Sequence, residues 1–385
     1  MTDAIAGLIR DHAVVTAVAR AATGRPHAEV DPATVRVTAV PVVAMATGGL
    51  ARVRGTVADR DGRTGWSVVV KVVQSPDRSP IWTQIPPEFH AITLAQVPWR
   101  TEPDLYGSAL PDALPDGLRM PAIHRVDEID DRSAAIWMED VTEVGGPWTP
   151  DDHRRAGRLL GRLAGRFPAD APPVPLRLRQ ADLRHYFTGR VSHAVLPALR
   201  DDAVWAHPLI ATVVDARLRG DLLALAEDGA TVLDLVDGLP RTLAHGDACP
   251  QNLLRCVDGD LVAVDWQLAG WCALGFDVGQ LVAGHAESGD LDPVELPAVY
   301  DAAVAGYTAG VADEGLDVTA GEVALGAAGV LVIRSAFTAL PLEFLDAEPS
   351  AAIVRLFDRR ARYARFLVDL ARTHLPLTRP RDAAR

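Results

Sequence analysis

The sequence predicts an α+β chain of two lobes, a small N-terminal lobe of antiparallel strands and a larger, mainly helical C-terminal lobe. Three observations predict it. β-Branched runs broken by glycine-bearing segments fill residues 35–73 and return at 122–141. Helical patterning with cap signals takes over after Gly145-Gly146-Pro147, and one short hairpin interrupts the helices around Asp258-Gly259-Asp260.

Taken in order, Ala4–Ala22 reads as helical within an N-terminal extension of residues 1–34 whose role the sequence leaves open. Val35–Val43, Ala51–Ala58 and Trp66–Val73 read as three antiparallel strands, with Thr47-Gly48-Gly49 and the polar stretch 59–65 as the connecting turns. A helix over Thr101–Leu110, then strands over Ala122–Ile129 and Ser133–Val141, complete a five-stranded lobe spanning 35–144. The helical lobe, 145–385, opens at Thr149-Pro150-Asp151-Asp152: the threonine hydroxyl can cap an orphan amide, proline suits the first helical position, and acids favour the positive end of the helix dipole. Within it, Leu253–Arg255 and Leu261–Trp266 form the hairpin, the Pro-rich patch at 168–175 reads as loop, and the Arg/Pro tail after Leu375 as a frayed terminus.

With 49% hydrophobic and 23% charged residues over 385 positions, the chain can bury substantial cores. It has no apolar run of about eighteen residues and no basic-then-apolar N-terminus, so neither a membrane span nor a signal peptide is expected, and the expected location is the cytoplasm. A formal charge of −13 with no dense Lys/Arg run argues against a nucleic-acid partner and leaves neutral or cationic substrates easier to accommodate. Cys249, Cys256 and Cys272 are odd in number and lack C-x-x-C spacing, which favours neither a disulfide framework nor a zinc site.

The chemistry concentrates in His245-Gly246-Asp247-Ala248-Cys249-Pro250-Gln251-Asn252 and in Asp265 beyond the hairpin. Phosphoryl transfer asks little covalent chemistry of a protein; it needs a carboxylate at the attacking hydroxyl and oxygen ligands for magnesium. A base at Asp247 and a ligand at Asn252 fit one turning loop, and the hairpin can deliver Asp265 as a second carboxylate. Lys71 sits in Ser67-Val68-Val69-Val70-Lys71-Val72-Val73, apolar on both faces, so its ammonium requires an anionic partner; the alternative, an edge-strand charge reaching solvent, sits poorly with the flanking valines. Gly48 and Gly49 would let backbone amides approach phosphates, although a plain β-turn reads equally well.

The spacing H-x-D-x-x-x-x-N resembles the catalytic loop of protein kinases, and Gly246 in place of arginine makes it similar to the aminoglycoside phosphotransferase and choline kinase superfamily. Val264-Asp265-Trp266 continues the likeness. The resemblance implies a bilobal protein-kinase-like fold binding ATP or GTP with Mg2+, with Asp247 as catalytic base, Asn252 and Asp265 as metal ligands, and Asp277 in Gly275-Phe276-Asp277 as a brace of the loop. It pairs Lys71 with a helix glutamate, Glu102 in Trp99-Arg100-Thr101-Glu102-Pro103-Asp104-Leu105-Tyr106, although Pro103 departs from the family's helix and leaves Glu88 as a fallback. It also puts adenine against the backbone of Glu139 and Val141.

The activity so implied is transfer of the γ-phosphate to a hydroxyl of a small molecule. Glu287, Asp290, Asp292, Glu295, Glu343, Asp346 and Glu348, if they converge near the base, favour a cationic acceptor such as an aminoglycoside, another basic antibiotic or an amino sugar. The alternatives are a sugar or other metabolite kinase and a nucleotide-binding pseudokinase scaffold; the absence of an A-P-E segment disfavours a protein substrate. Oligomeric state is not legible.

Overall fold

The computed structural model describes residues 3–42, 44–348 and 350–377, so Val43 and, past Pro376 and Leu377, the rest of the tail expected to fray after Leu375 lie outside the described residues. Two compact units emerge, Met1–Gly145 with Leu254–Leu268, and Gly146–Leu253 with Ala269–Arg385. The first is built on a β-sheet and the second on helices, the kinase-like α+β arrangement. Among the described residues no helix is long and apolar enough to cross a membrane.

The first unit contains β1 (Glu29–Val30), β2 (Arg36–Ala39), β3 (Thr47–Asp59), β4 (Gly62–Gln74), β5 (Leu118–Arg119), β6 (Ile123–Asp130) and β7 (Ser133–Glu139). Its antiparallel sheet runs β1-β3-β4-β7-β6, with β2 also paired to β3. Side chains alternate along a strand. Val68, Val70 and Val72 therefore share a face with Ala51, Val53, Val57 and Trp137, and that face is packed beneath helices Asp3–Arg10 and His12–Thr23. The single helix expected over 4–22 is broken at Asp11, whose carboxylate accepts the N–H groups of Ala13 (2.9 Å) and Val14 (3.3 Å) and so starts a second helix. Lys71, opposite Leu50 on β3 and Ile136 on β7, falls on the other face.

Several turn, strand and helix expectations are corrected. The polar stretch 59–65 is not a long loop: Asp59 pairs directly with Gly62 across Arg60-Asp61, because the far end of this hairpin is solvated and polar side chains there cost nothing. Gly48 and Gly49 lie within β3, at an irregularity in its register with β4, so Thr47–Gly49 is a bulged strand segment instead of an open turn. The expected five-stranded sheet has a sixth strand, the two-residue β1, and β5 lies outside that sheet; both are too short to leave a periodic signal. The helix expected over 101–110 divides at Gly107 into Thr101–Tyr106 and Leu110–Ala113, and a further helix, His90–Gln96, precedes it. Strand Leu261–Ala263 ends before the expected Trp266, pairs with Leu253–Arg255, and lies parallel to β5.

In the second unit Thr149 caps helix Pro150–Arg166 as expected, its hydroxyl accepting from the Asp152 N–H while the Asp152 carboxylate accepts from the Thr149 N–H. That helix meets Leu296–Asp313 backbone to backbone. A Cβ added to Gly157, Gly161, Gly306 or Gly310 would stand 2.5, 2.1, 2.0 or 2.0 Å from a carbonyl oxygen of the other helix. At the C-terminal end of the first helix Phe167 accepts the Leu243 N–H (2.9 Å), anchoring β8 (Arg241–Ala244), which pairs antiparallel with strand Gly270–Ala273 and leads straight into His245.

Candidate active site

In the first unit the Lys71 ammonium, on a residue 5% exposed, bonds Glu102 Oε2 at 2.6 Å and Asp265 Oδ1 at 2.7 Å. Burial alone would lower its pKa, but the charges of Glu102 and Asp265 and their hydrogen bonds outweigh that and raise it, so Lys71 stays protonated. Glu102 is fully buried, and its other oxygen accepts from the Tyr106 hydroxyl at 3.0 Å, one helical turn on. Pro103 does no harm: it occupies the first turn of helix Thr101–Tyr106, where an N–H has no intrahelical acceptor. Glu88, the fallback, sits exposed on the turn Pro87–Phe89. Asp265 is the one non-glycine with positive φ (64°) among the described residues, a conformation costing on the order of 1 kcal/mol that aspartate tolerates better than most. Here it holds the carboxylate on the lysine.

The second unit carries the loop after β8. Asp277, 1% exposed at the start of helix Phe276–Ser288, accepts the N–H groups of His245 (2.8 Å) and Gly246 (2.9 Å) with its two oxygens. Burial pushes its carboxyl pKa up, and the nearby His245 with the two amides pulls against that. Gly246 has φ 83°, which lets the chain reverse into Asp247. Asn252, on the turn Pro250–Asn252, donates to the Asp247 carbonyl (2.9 Å) and to Asp247 Oδ2 (3.1 Å), while Gln280 donates to Asp247 Oδ1 (3.0 Å). Further along the same helix Gly284 lies against Cys249, Pro250 and Gln251, with 2.7 Å to each from an added Cβ. Positions 277, 280 and 284 follow the i, i+3, i+7 spacing of one helix face, so a single stripe cradles the loop. Arg334, on the widened turn Val332–Ala336, donates to the Gly246 carbonyl at 3.2 Å.

Each donor set retains capacity. An ammonium has three protons, and Lys71 spends one each on Glu102 and Asp265. The Asn252 amide nitrogen is engaged, which leaves its oxygen as acceptor, and Asp265 keeps a second oxygen on a side chain 40% exposed. All-oxygen ligands suit magnesium.

Other expected residues fare differently. The Glu139 N–H is committed to the Ala122 carbonyl (2.8 Å) and its carboxylate to Arg119 (2.7 and 2.9 Å), so that amide is not open to adenine; Val141 lies past the end of β7. Gly48 is approached by the Gln74 side chain, 2.5 Å from an added Cβ. Of the acids expected to draw a cationic acceptor, Asp292 caps the turn Pro293–Glu295 and lies 3.7 Å from Arg362, and Asp290 accepts from Ser288 (2.6 Å). Sequence reasoning passed over Gln280 and Arg334. The first is signalled by its helical spacing from Asp277; the second, 88 residues from Gly246, has no local signal.

A sequence model described as the phosphotransferase enzyme family matches residues 114–318, more than half of the chain, taking in Asp247, Asn252, Asp265 and Asp277 and beginning after Lys71 and Glu102. The chain belongs to the phosphotransferase enzyme family. It is thereby a small-molecule phosphotransferase. Among solved structures, an aminoglycoside phosphotransferase from Alicyclobacillus acidocaldarius is similar over 90% of this chain and 95% of its own, at 14% identity and a TM-score of 0.51. A spectinomycin phosphotransferase (91% and 94% covered, 9% identity, TM-score 0.49) and an amicoumacin kinase (96% and 96%, 14%, 0.45) are also similar. At 14% identity the likeness to the Alicyclobacillus structure is one of fold. No curated protein sequence matches the chain.

Because Glu102 is wholly buried, Lys71→Met strands a carboxylate. Breaking such a pair from one side costs about 3–5 kcal/mol. Urea unfolding should show that loss for Lys71→Met, and a clear recovery in Lys71→Met/Glu102→Gln, in which no buried charge is left facing Tyr106. Equal stability of the two variants would mean that Glu102 does not depend on Lys71.

Proposed function

We propose that this phosphotransferase moves the γ-phosphate of ATP or GTP to a hydroxyl of a small molecule, with Asp247 as base and Asn252 and Asp265 as the residues that would hold magnesium. Bound magnesium would neutralise phosphate charge. Lys71, kept in place by Glu102, would align the phosphates; the amides at Gly48 and Gly49, the carbonyl of Glu139, whose own N–H is taken, and the backbone at Val141 are the further nucleotide contacts proposed. The observation that carries the reading is the Lys71–Glu102–Asp265 cluster. An ammonium between two carboxylates in an apolar strand is a poor choice for stability, since hydrophobic replacements of buried ion pairs are often neutral or better. Phosphate alignment supplies the reason to keep it. Such a reaction belongs where nucleoside triphosphates are abundant, the cytoplasm.

For the acceptor, the net charge of −13 supports a cationic molecule such as an aminoglycoside, another basic antibiotic or an amino sugar, and with it a role in antibiotic resistance. A second reading has an observation of its own. Arg334 touches the carbonyl next to Asp247, and Arg334 and Arg190 both lie over the Tyr186 ring, 5.9 and 6.0 Å from its centre, which favours an acceptor bearing a carboxylate or phosphate. The test is ADP formation with magnesium-ATP and, in turn, kanamycin, glucosamine, glucose and gluconate. Preference for the amines, weakening as salt rises, supports the first reading; preference for gluconate supports the second. Absence of ADP formation with every hydroxylated compound of a wider panel, alongside intact nucleotide binding, would favour a pseudokinase.

A further inference from the structure

Gln280 has no part in the motifs that pick out the catalytic loop, yet it makes the one side-chain contact to Asp247 Oδ1 recorded among the described residues. A carboxylate presents two oxygens with about four lone-pair directions. Asn252 takes one direction on Oδ2 and Gln280 one on Oδ1, at 3.1 and 3.0 Å, so the carboxylate plane is held from both ends. Each oxygen keeps a lone pair for an acceptor hydroxyl. Because an ionised carboxylate only accepts, the Gln280 amide must turn its NH2 towards it. Gln280 is itself 9% exposed, packed on the helix that grips the backbone of His245 and Gly246 through Asp277, one turn earlier on the same face. One rigid helix thus fixes the loop's backbone and the base's side chain independently.

We infer that Gln280 is a positioning residue that fixes the orientation of the Asp247 carboxylate for the acceptor hydroxyl, while the Asn252 oxygen remains available to metal. The inference rests on the reading of Asp247 as base. Glutamine suits the role because it donates without adding charge: a glutamate would repel Asp247, and a lysine or arginine would capture it as an ion pair and compete with the acceptor. Misplacing a reacting group by about 1 Å can cost up to about 100-fold in rate, so turnover should respond to Gln280 far more than binding does.

The test uses the full chain, magnesium-ATP and whichever of kanamycin and gluconate is the faster acceptor. Gln280→Met keeps the length and packing but has no donor; Gln280→Glu keeps the shape and reverses the polarity. The expected result is a kcat lowered about tenfold or more in Gln280→Met and further in Gln280→Glu, with the KM for ATP within about twofold of wild type. In an Asp247→Ala background neither substitution should change the residual rate. A Gln280→Met kcat within about twofold of wild type overturns the inference, as does a fall in activity that only tracks a loss of folded protein in both variants. If Asp247→Ala turns over like wild type, the base assignment fails; if it is inactive while Gln280→Met is normal, only the positioning role does.

Discussion

Replacing Asp247 with alanine is expected to lower turnover about 10²- to 10⁴-fold, the range general-base catalysis contributes, while leaving nucleotide affinity within a few-fold of wild type. The separation follows from how the loop is held. Asp277 fixes the backbone at His245 and Gly246, and Asn252 keeps its 2.9 Å bond to the backbone carbonyl of residue 247, so the proposed metal ligand stays oriented when the carboxylate is gone. Isothermal titration with magnesium-ATP and steady-state rates on the same preparation would measure both. Parallel loss of nucleotide binding would show that Asp247 organises the nucleotide site instead of acting on the acceptor.

Within the second unit the largest effect on stability is expected at the close helix pair. Gly310→Ala puts a methyl group 2.0 Å from the Arg158 carbonyl and 2.8 Å from the Arg162 nitrogen, both backbone atoms that move only if the helices separate. Over-packing of this kind costs about 1–3 kcal/mol and more where backbone must shift, which lowers the melting temperature by roughly 2–12 °C for a unit of this size. Gly220→Ala is the control: it lies in helix Leu218–Glu227 with nothing within 4 Å of an added Cβ, and should be neutral or stabilising by about 0.5–1 kcal/mol. Calorimetry in which the two variants melt alike would remove the close helix contact from the account of stability.

What the sequence reveals depends on how locally each feature is encoded. The candidate catalytic loop is legible because its proposed chemistry is contiguous from His245 to Asn252, and the Thr149 cap because its hydrogen bonds close within three residues. The Lys71 strand shows that an ammonium in a run of valines must have a partner, but only a motif points to Glu102, and Pro103 obscures it until the helix start is known. Gly48-Gly49 misleads: paired glycines signal a turn, and here they fill a bulged strand against Gln74. The glycines of Pro150–Arg166 and Leu296–Asp313 look individually like weak points in helices. Their purpose appears only when the two helices, some 150 residues apart in sequence, are set side by side. Arg334 is beyond local reading for the same reason.

The central claim, γ-phosphate transfer to a hydroxyl dependent on Asp247, is tested most directly by mass spectrometry of acceptors incubated with magnesium and γ-18O-labelled ATP. The predicted result is an acceptor carrying one labelled phosphoryl group with wild-type protein, at least about 100-fold less of it in the same time with Asp247→Ala, and none when magnesium is chelated. Labelled product formed equally by wild type and Asp247→Ala would contradict the assignment of the base, and nucleotide binding with no labelled product from any hydroxylated acceptor would contradict the transferase itself.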